Sequence, residues 1–293
     1  MYRDAMMDKT AAIVCHAFLK KCSPEQQDQL LKRLISAEAK EIREIGDTLS
    51  DPSKGFPRCD EELFKIHYSW FAPYLRTLPE SDIRLFLACL HPNQQKGLKT
   101  QLLFSSPLPE LSFISSQFLR LSLFTRIAPT DLLPVPCLPA SKLNSLLELD
   151  QGDWSSLIDL ISMHDLSTEI RHIIDTAKLR QIYSLLTKPQ QTYLNTLTLK
   201  KEPVAFKKLG LASWDGDAET LKQTLFQRGI NRIAKALYGH HPSLIWYAAH
   251  RLEIERGNAL LKLCTSLDHP RAASLLVDQI VDLIESINKH TLS

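Results

Sequence analysis

"CSPEQQDQLLKRL" at residues 22–34, "LHPNQQKGLKTQLL" at 90–103 and "LTKPQQTYLNTLTL" at 186–199 share one layout: a proline, a Gln-Gln pair, then spaced leucines. Proline suits the first turn of a helix, where its missing N–H has no intrahelical partner and its φ already fits. Ser23, just before Pro24, is a good helix-capping residue. The glutamines then fill the first turn. Leu30, Leu31 and Leu34, Leu98 and Leu102, and Leu194 and Leu197 supply the buried faces. "TLPESDIRLFLACL" at Pro79, "GHHPSLIWYAAHRL" at Pro242 and "LDHPRAASLLVDQI" at Pro270 keep the proline and drop the glutamines. Each unit ends one helix, turns, and starts the next at proline, as stacked helical hairpins do. Pro24, Pro92 and Pro189 are 68 and 97 residues apart, so the array is irregular and not a strict solenoid.

Helical spacing continues outward from these units. Residues 24–46 carry Leu30, Leu31, Leu34, Ile35, Ala39, Ile42 and Ile45 in one stripe. "DEELFKIHYSWFAPYL" sets Leu63, Phe64, Ile66, His67, Trp70 and Phe71 on one side before Pro73. "ETLKQTLFQRGINRIAKALYG" does the same with Leu221, Leu225, Ile230, Ile233, Ala234 and Leu237, and Gly239 supplies a stop. The final helix runs through Ala273, Leu276, Val277, Ile280, Ile284 and Ile287, with Lys289 and His290 at the end the dipole prefers for cations. The best strand candidate, "LTLKK", is short. The chain reads as all-α, an irregular helical-hairpin array.

Composition agrees with that reading. Nine glycines in 293 residues are few for a fold built on tight βα turns or phosphate loops. At 44% apolar and 23% charged, the chain belongs with soluble globular proteins. No segment approaches the length of an apolar membrane span, and the N-terminus does not read as a signal peptide. Six cysteines without a CxxC pair read as buried free thiols in a reducing compartment, so a cytoplasmic location is expected.

"IAPTDLLPVPCLPAS", residues 127–141, holds Pro129, Pro134, Pro136 and Pro139 and cannot continue a helix. It reads as an extended connector, with an N-terminal helical part at 1–126 and a C-terminal part at 142–293.

Signatures of chemistry are scarce. There is no GxSxG elbow and no Walker-type loop. Cys15 and His16 are sequence neighbours that point about 100° apart on a helix. His240, His241 and His250, and His164 and His172 about Asp165, match no standard metal spacing. "WDGD" at 214–217 lacks the further ligands of a calcium loop, and Asp217 reads instead as a helix cap. No catalytic residue, cofactor or metal is expected, and the chain reads as a non-enzyme.

Two features suggest binding. Between Lys188 and Lys262 basic residues outnumber acidic ones by about two to one, among them Lys200, Lys201, Lys207, Lys208, Arg228, Arg232 and Lys235. In "HPSLIWYAAHRLEIERG", Leu244, Ile245, Ala248, Ala249 and Leu252 form a core stripe. Trp246 and Tyr247 are adjacent and cannot both enter that core, so one is expected at a surface. Arg251–Glu255 and Glu253–Arg256 have the spacing of helical ion pairs. The expected protein-docking residues are therefore Trp246, Tyr247 and Arg251, flanked by Lys207, Lys208, Arg228 and Arg232.

Helical units opened by His91-Pro92, Pro189-Gln190, His241-Pro242 and His269-Pro270 resemble the armadillo-like modules of the flagellar motor-switch protein FliG. There a Glu-His-Pro-Gln element begins such a helix. The chain as a whole, about 33 kDa with a proline-rich division, also resembles SctK-type accessory subunits of bacterial type III secretion. No position carries both the acid and the glutamine of the full FliG element, and no charged torque helix is present. The resemblance implies a cytoplasmic scaffold joining inner-membrane ring and sorting-platform components through protein contacts. The alternatives are a nucleic-acid-binding regulator using residues 188–262, and an enzyme or metalloprotein whose site is assembled from dispersed residues.

Overall fold

A computed structural model describes residues 9–45, 59–199, 202–204, 206, 208–267 and 270–291. They form α-helices and short 3-10 turns, with no strand among the described residues. The chain divides into two compact units, one ending at Pro139 and the other beginning at Ala140.

The first unit holds α1 (Lys9–Leu19), α2 (Pro24–Leu31), α3 (Ser36–Glu44), α4 (Cys59–Lys65), α5 (Ala72–Leu75), α6 (Glu80–Cys89), α7 (Pro92–Leu102) and α8 (Phe113–Ile127). α8 lies on α4 and α6, and α7 lies on the 3-10 turn Tyr68–Trp70 and on α5. α1 and α3 enclose a small core of Ala12, Leu19 and Ile42. The second unit holds α9 (Gln151–Ile170), α10 (Thr176–Leu185), α11 (Lys188–Thr198), α12 (Ala218–Leu237), α13 (Pro242–Arg251), α14 (Ile254–Leu263) and α15 (Pro270–Thr291).

α9 is the axis of the second unit. α11, α12 and α15 all pack on it, and every residue from Ile161 to Ser167 is buried. A helix enclosed on all sides loses the one-sided pattern of a surface helix. α12 crosses α9 at Gly229, where an added Cβ would lie 2.3 Å from the Ile158 carbonyl oxygen. Only glycine allows that approach.

The three Gln-Gln units turn out to be one repeated junction. The first glutamine of each pair closes a capping box. Gln26, Gln94 and Gln190 accept through Oε1 from the N–H groups of Ser23 (3.0 Å), His91 (3.3 Å) and Thr187 (2.8 Å). The second glutamine reaches back to the end of the preceding helix. Gln27, Gln95 and Gln191 donate through Nε2 to the carbonyls of Cys22 (3.1 Å), Leu90 (2.9 Å) and Leu186 (2.9 Å). Each pair thus satisfies an orphan donor of the new helix and a carbonyl at or just beyond the end of the old one. Gln94 also donates to the Leu63 and Ile66 carbonyls, at 2.9 and 2.8 Å.

Several expected elements are cut shorter. The stripe at 24–46 is two helices, because Ile35 is extended and its N–H donates to Glu38, which opens α3. α2 buries nothing, and Ile35 is 66% exposed. The run at 60–75 breaks at His67, whose Nδ1 accepts from the Ser69 N–H at 3.3 Å and starts a 3-10 turn before Pro73. "LTL" of the proposed strand belongs to the end of α11 and the turn after it; Lys200 and Lys201 lie outside the described residues. Residues 127–141 are extended at Ala128, Leu138 and Ser141 and turn between them: the Leu132, Cys137 and Leu138 N–H groups donate to Pro129, Pro134 and Val135. α12, with Gly239 at φ +84° beyond its end, matches the sequence reading.

Candidate functional site

The structure disperses the docking residues expected from sequence. On α13, Tyr247 is buried at 4% exposure and Trp246 is half-buried. The Trp246 ring stacks on His250, with centroids 3.8 Å apart. Burial of that imidazole pushes His250 down to about 4, against the opposing effect of its hydrogen bond with the Trp246 carbonyl. Arg251 is buried and donates to the Leu147 carbonyl at 3.0 Å. α13 ends at Arg251 and α14 begins at Ile254, so Arg251 and Glu255 are not a pair on one helix. Arg256 does pair with Glu253, at 3.6 Å.

The described basic residues likewise do not all lie at the surface. Arg232 is fully buried, and Arg228 donates to the Lys208 carbonyl at 3.0 Å. Lys208 is exposed, while Lys207 lies outside the described residues. A surface uniting Tyr247, Arg251 and Arg232 does not exist in this fold, because all three side chains are spent on internal contacts.

Arg232 instead centres a buried polar network. Its Nη2 donates to Asp165 Oδ1 (2.7 Å) and the Val204 carbonyl (3.2 Å), and its Nη1 to Glu202 (3.3 Å) and Gln279 (3.0 Å). Phe206 lies under the guanidinium, 5.1 Å from ring centre to Cζ. His164 joins Glu202 through Nδ1 at 2.5 Å and the Tyr193 hydroxyl through Nε2 at 2.8 Å. Burial pushes the Glu202 carboxyl up. The hydrogen bond and charge of His164, the Arg232 charge and the Gln279 amide outweigh that and bring it down to about 2. Next along α9, Glu169 accepts from the N–H groups of Leu209, Gly210 and Leu211 at 3.1–3.2 Å. The network fastens the segment between α11 and α12 to α9, α12 and α15.

A carboxylate–imidazole–hydroxyl row such as Glu202–His164–Tyr193 has the outline of a nucleophile relay. Tyr193 is unsuited to that role. Burial, then the Glu202 charge, push its phenol up to about 12, and its hydroxyl is engaged by buried His164. The arrangement orders a loop.

Other marked residues also have structural duties. His91 and His241 act as caps, accepting through Nδ1 from the Asn93 and Ser243 N–H groups at 3.4 and 3.1 Å. Asp217 caps α12 through the Thr220 N–H at 2.7 Å. Among the described residues no group of three His, Cys, Asp or Glu could hold a metal ion. Of the described thiols whose burial is defined, Cys89 is buried, Cys15, Cys22 and Cys264 are half-buried and Cys137 is exposed, so the expectation of buried cysteines is corrected.

Two surfaces that the sequence reading missed remain uncovered. On α8, Ile114, Phe118 and Leu121 are 78%, 69% and 51% exposed, with Phe113 at 65% beside them. Spacings of four and three residues put the first three on one face. The opposite face is anchored: Leu123 is fully buried, Arg120 donates to the Cys89 carbonyl at 2.6 Å, and Arg126 lies over Tyr74. The signal was present in "FISSQFLRLSLFTRI", which carries more apolar residues than one buried face can hold, with both arginines off the apolar stripe. In the second unit a cleft of about 610 Å³ runs over α9 between α11 and α15. Leu160, Pro189, Tyr193, Leu283 and Ile287 supply its apolar walls, and Ser156, Thr192, Thr196 and Ser286 add hydroxyls.

No described helix is long and apolar enough to cross a membrane. Comparison with protein-family models, curated proteins and solved structures found no match.

Proposed function

We propose that this protein is a helical adaptor that works by docking other proteins, without chemistry of its own. The observation that carries the reading is the uncovered stripe Ile114–Phe118–Leu121 on α8, a helix anchored firmly on its other side. Contiguous exposed apolar surface of this kind costs solubility and marks interaction sites. The setting we propose is a bacterial type III secretion assembly, with inner-membrane ring and sorting-platform proteins as partners. Its support is the resemblance of the His-Pro and Pro-Gln units to motor-switch modules, and of the chain's size and division to SctK-type subunits. The nucleic-acid reading is weakened, since Arg232 and Arg251 are buried and so contribute nothing to a phosphate-binding face.

Tagged protein and its Phe118→Asp variant, captured from native cells with and without nuclease, test the proposal. Partners recovered with the parent, lost with Phe118→Asp and indifferent to nuclease support it. An identical set with both proteins removes α8 as the docking face, and nuclease-sensitive recovery favours the nucleic-acid reading.

A further inference from the structure

We propose that a small cavity beside Asp165 is a binding site for a primary ammonium group carried on a short alkyl stem. The site lies apart from α8 and goes beyond the adaptor reading. Asp165 is 7% exposed and lines a cavity of about 40 Å³ between α9 and the chain at Phe206, Lys208 and Leu209. Its Oδ1 accepts two hydrogen bonds, both from Arg232, while Oδ2 is buried without a partner. A buried carboxylate oxygen left in that state is costly, and a donor in the cavity would offset the cost.

The lining selects a cation that carries N–H donors. Thr168 donates its hydroxyl proton to the His164 carbonyl at 3.3 Å, which leaves its oxygen to accept. Among the described residues three acids, Asp165, Glu169 and Glu202, meet here at most two cations, Arg232 and His164. With the acids ionised, the interior holds an excess of negative charge, which a neutral donor such as water does not balance. Phe206 and Leu209 add apolar surface, which suits an alkyl stem. No group of three His, Cys, Asp or Glu among the described residues could hold a metal ion in its place. A water needs about 10–15 Å³ of such volume, so the cavity admits roughly two or three non-hydrogen atoms, the size of methylammonium.

This ammonium chemistry has two sources. One is a free alkylamine, and the other is exposed Lys208 at the rim, whose own ammonium ends a four-carbon stem. In either case the ammonium ties the segment after Glu202 to α9, next to the point where Glu169 holds the Leu209, Gly210 and Leu211 N–H groups. Occupancy is therefore expected to tighten that loop.

Thermal melts over a concentration series of methylammonium chloride give apparent dissociation constants. Tetramethylammonium chloride at equal ionic strength is the control, a bulkier cation of the same charge without N–H. Methylammonium at millimolar concentration is expected to stabilise the parent, and tetramethylammonium to leave it unchanged. Asp165→Asn should weaken methylammonium binding by about 30-fold or more. Thr168→Val keeps the Asp165–Arg232 pair, and so decides the matter if the first variant fails to fold; it should weaken binding by about 5-fold. Lys208→Met distinguishes the sources. If it binds methylammonium at least about tenfold more tightly than the parent and is less stable without it, Lys208 is the resident ammonium. If it binds as the parent does, the site takes a free amine. Equal responses to the two salts in every protein overturn the inference, as does methylammonium binding unchanged by both Asp165→Asn and Thr168→Val.

Discussion

Replacing Arg232 with methionine probes the buried network that holds the second unit together. Methionine keeps most of the side chain's bulk and removes the charge and every donor. In the native fold Asp165 Oδ1 accepts two bonds, both from Arg232, at 2.7 and 3.2 Å, and Asp165 Oδ2 has no partner. The substitution therefore leaves the whole Asp165 carboxylate unpaired, takes one partner from Glu202 and one from the Val204 carbonyl, and removes the cation above Phe206. Removing one partner of a buried pair costs about 3–5 kcal/mol. Glu202 retains His164 and Gln279, which places the expected loss in the lower half of that range.

The pH dependence is part of the prediction. Without the guanidinium the Glu202 carboxyl holds its proton more readily in the folded variant than in the parent. The stability gap is then full near pH 7 and narrows as pH falls from 4.5 toward the parent's value of about 2. Adding Asp165→Asn to Arg232→Met removes the stranded charge, so the double variant should be more stable than Arg232→Met alone. Urea melts at pH 7 and about pH 3 with unchanged slope measure each quantity. A loss under about 1 kcal/mol at pH 7, or a gap that does not narrow by about pH 3, would show that these charges are solvated, contrary to the burial described.

Three further outcomes follow from the geometry. Gln191→Ala removes donors to both the Tyr183 and Leu186 carbonyls and should cost about 1–2 kcal/mol, whereas Gln27→Ala, with one bond to Cys22, should cost less than about 0.5; the reverse order in chemical melts counts against the junction. Gly229→Ala should cost about 1–3 kcal/mol of stability, and so lower the melting temperature, despite alanine's better helix propensity, since its Cβ meets Ile158 backbone; a more stable variant contradicts the close crossing. Acid should weaken the fold in two windows. His250, lowered from 6.5 to about 4, favours the neutral folded form, so about 3 kcal/mol is lost as pH falls from 6.5 toward 4. Glu202, lowered from 4.5 to about 2, adds a loss of similar size as pH falls from 4.5 toward 2. His250→Gln should abolish the upper window alone, and a stability curve flat from pH 6.5 to 4 in the parent refutes the assignment.

The helices opened by Pro24, Pro92, Pro242 and Pro270, the cap at Asp217 and the stop at Gly239 were all legible in the sequence, because φ restriction, missing N–H groups and short-range caps act within a few residues of chain. The periodic leucines and isoleucines of α12 and α15 were legible for a similar reason, since one face of each meets the core. The breaks at Ile35 and His67 were not, because apolar spacing carries on through a cap that interrupts the helix.

Burial of charge lay further from reach. Arg232 looks in sequence like any basic residue of a solvated face, and only the convergence of α9, α12, α15 and the loop at Glu202 makes an interior for it. Tyr247 and Arg251 read as surface anchors until α13 is seen to turn them inward. The stripe on α8 was the converse: its residues look like core, and only the packing of α4 and α6 against the opposite face leaves it in water. Local chain chemistry set where helices start and stop, while the tertiary structure alone decided which charges lie inside and which apolar side chains lie outside, since burial depends on neighbours far along the chain, 67 residues between Asp165 and Arg232 and 104 between Leu147 and Arg251.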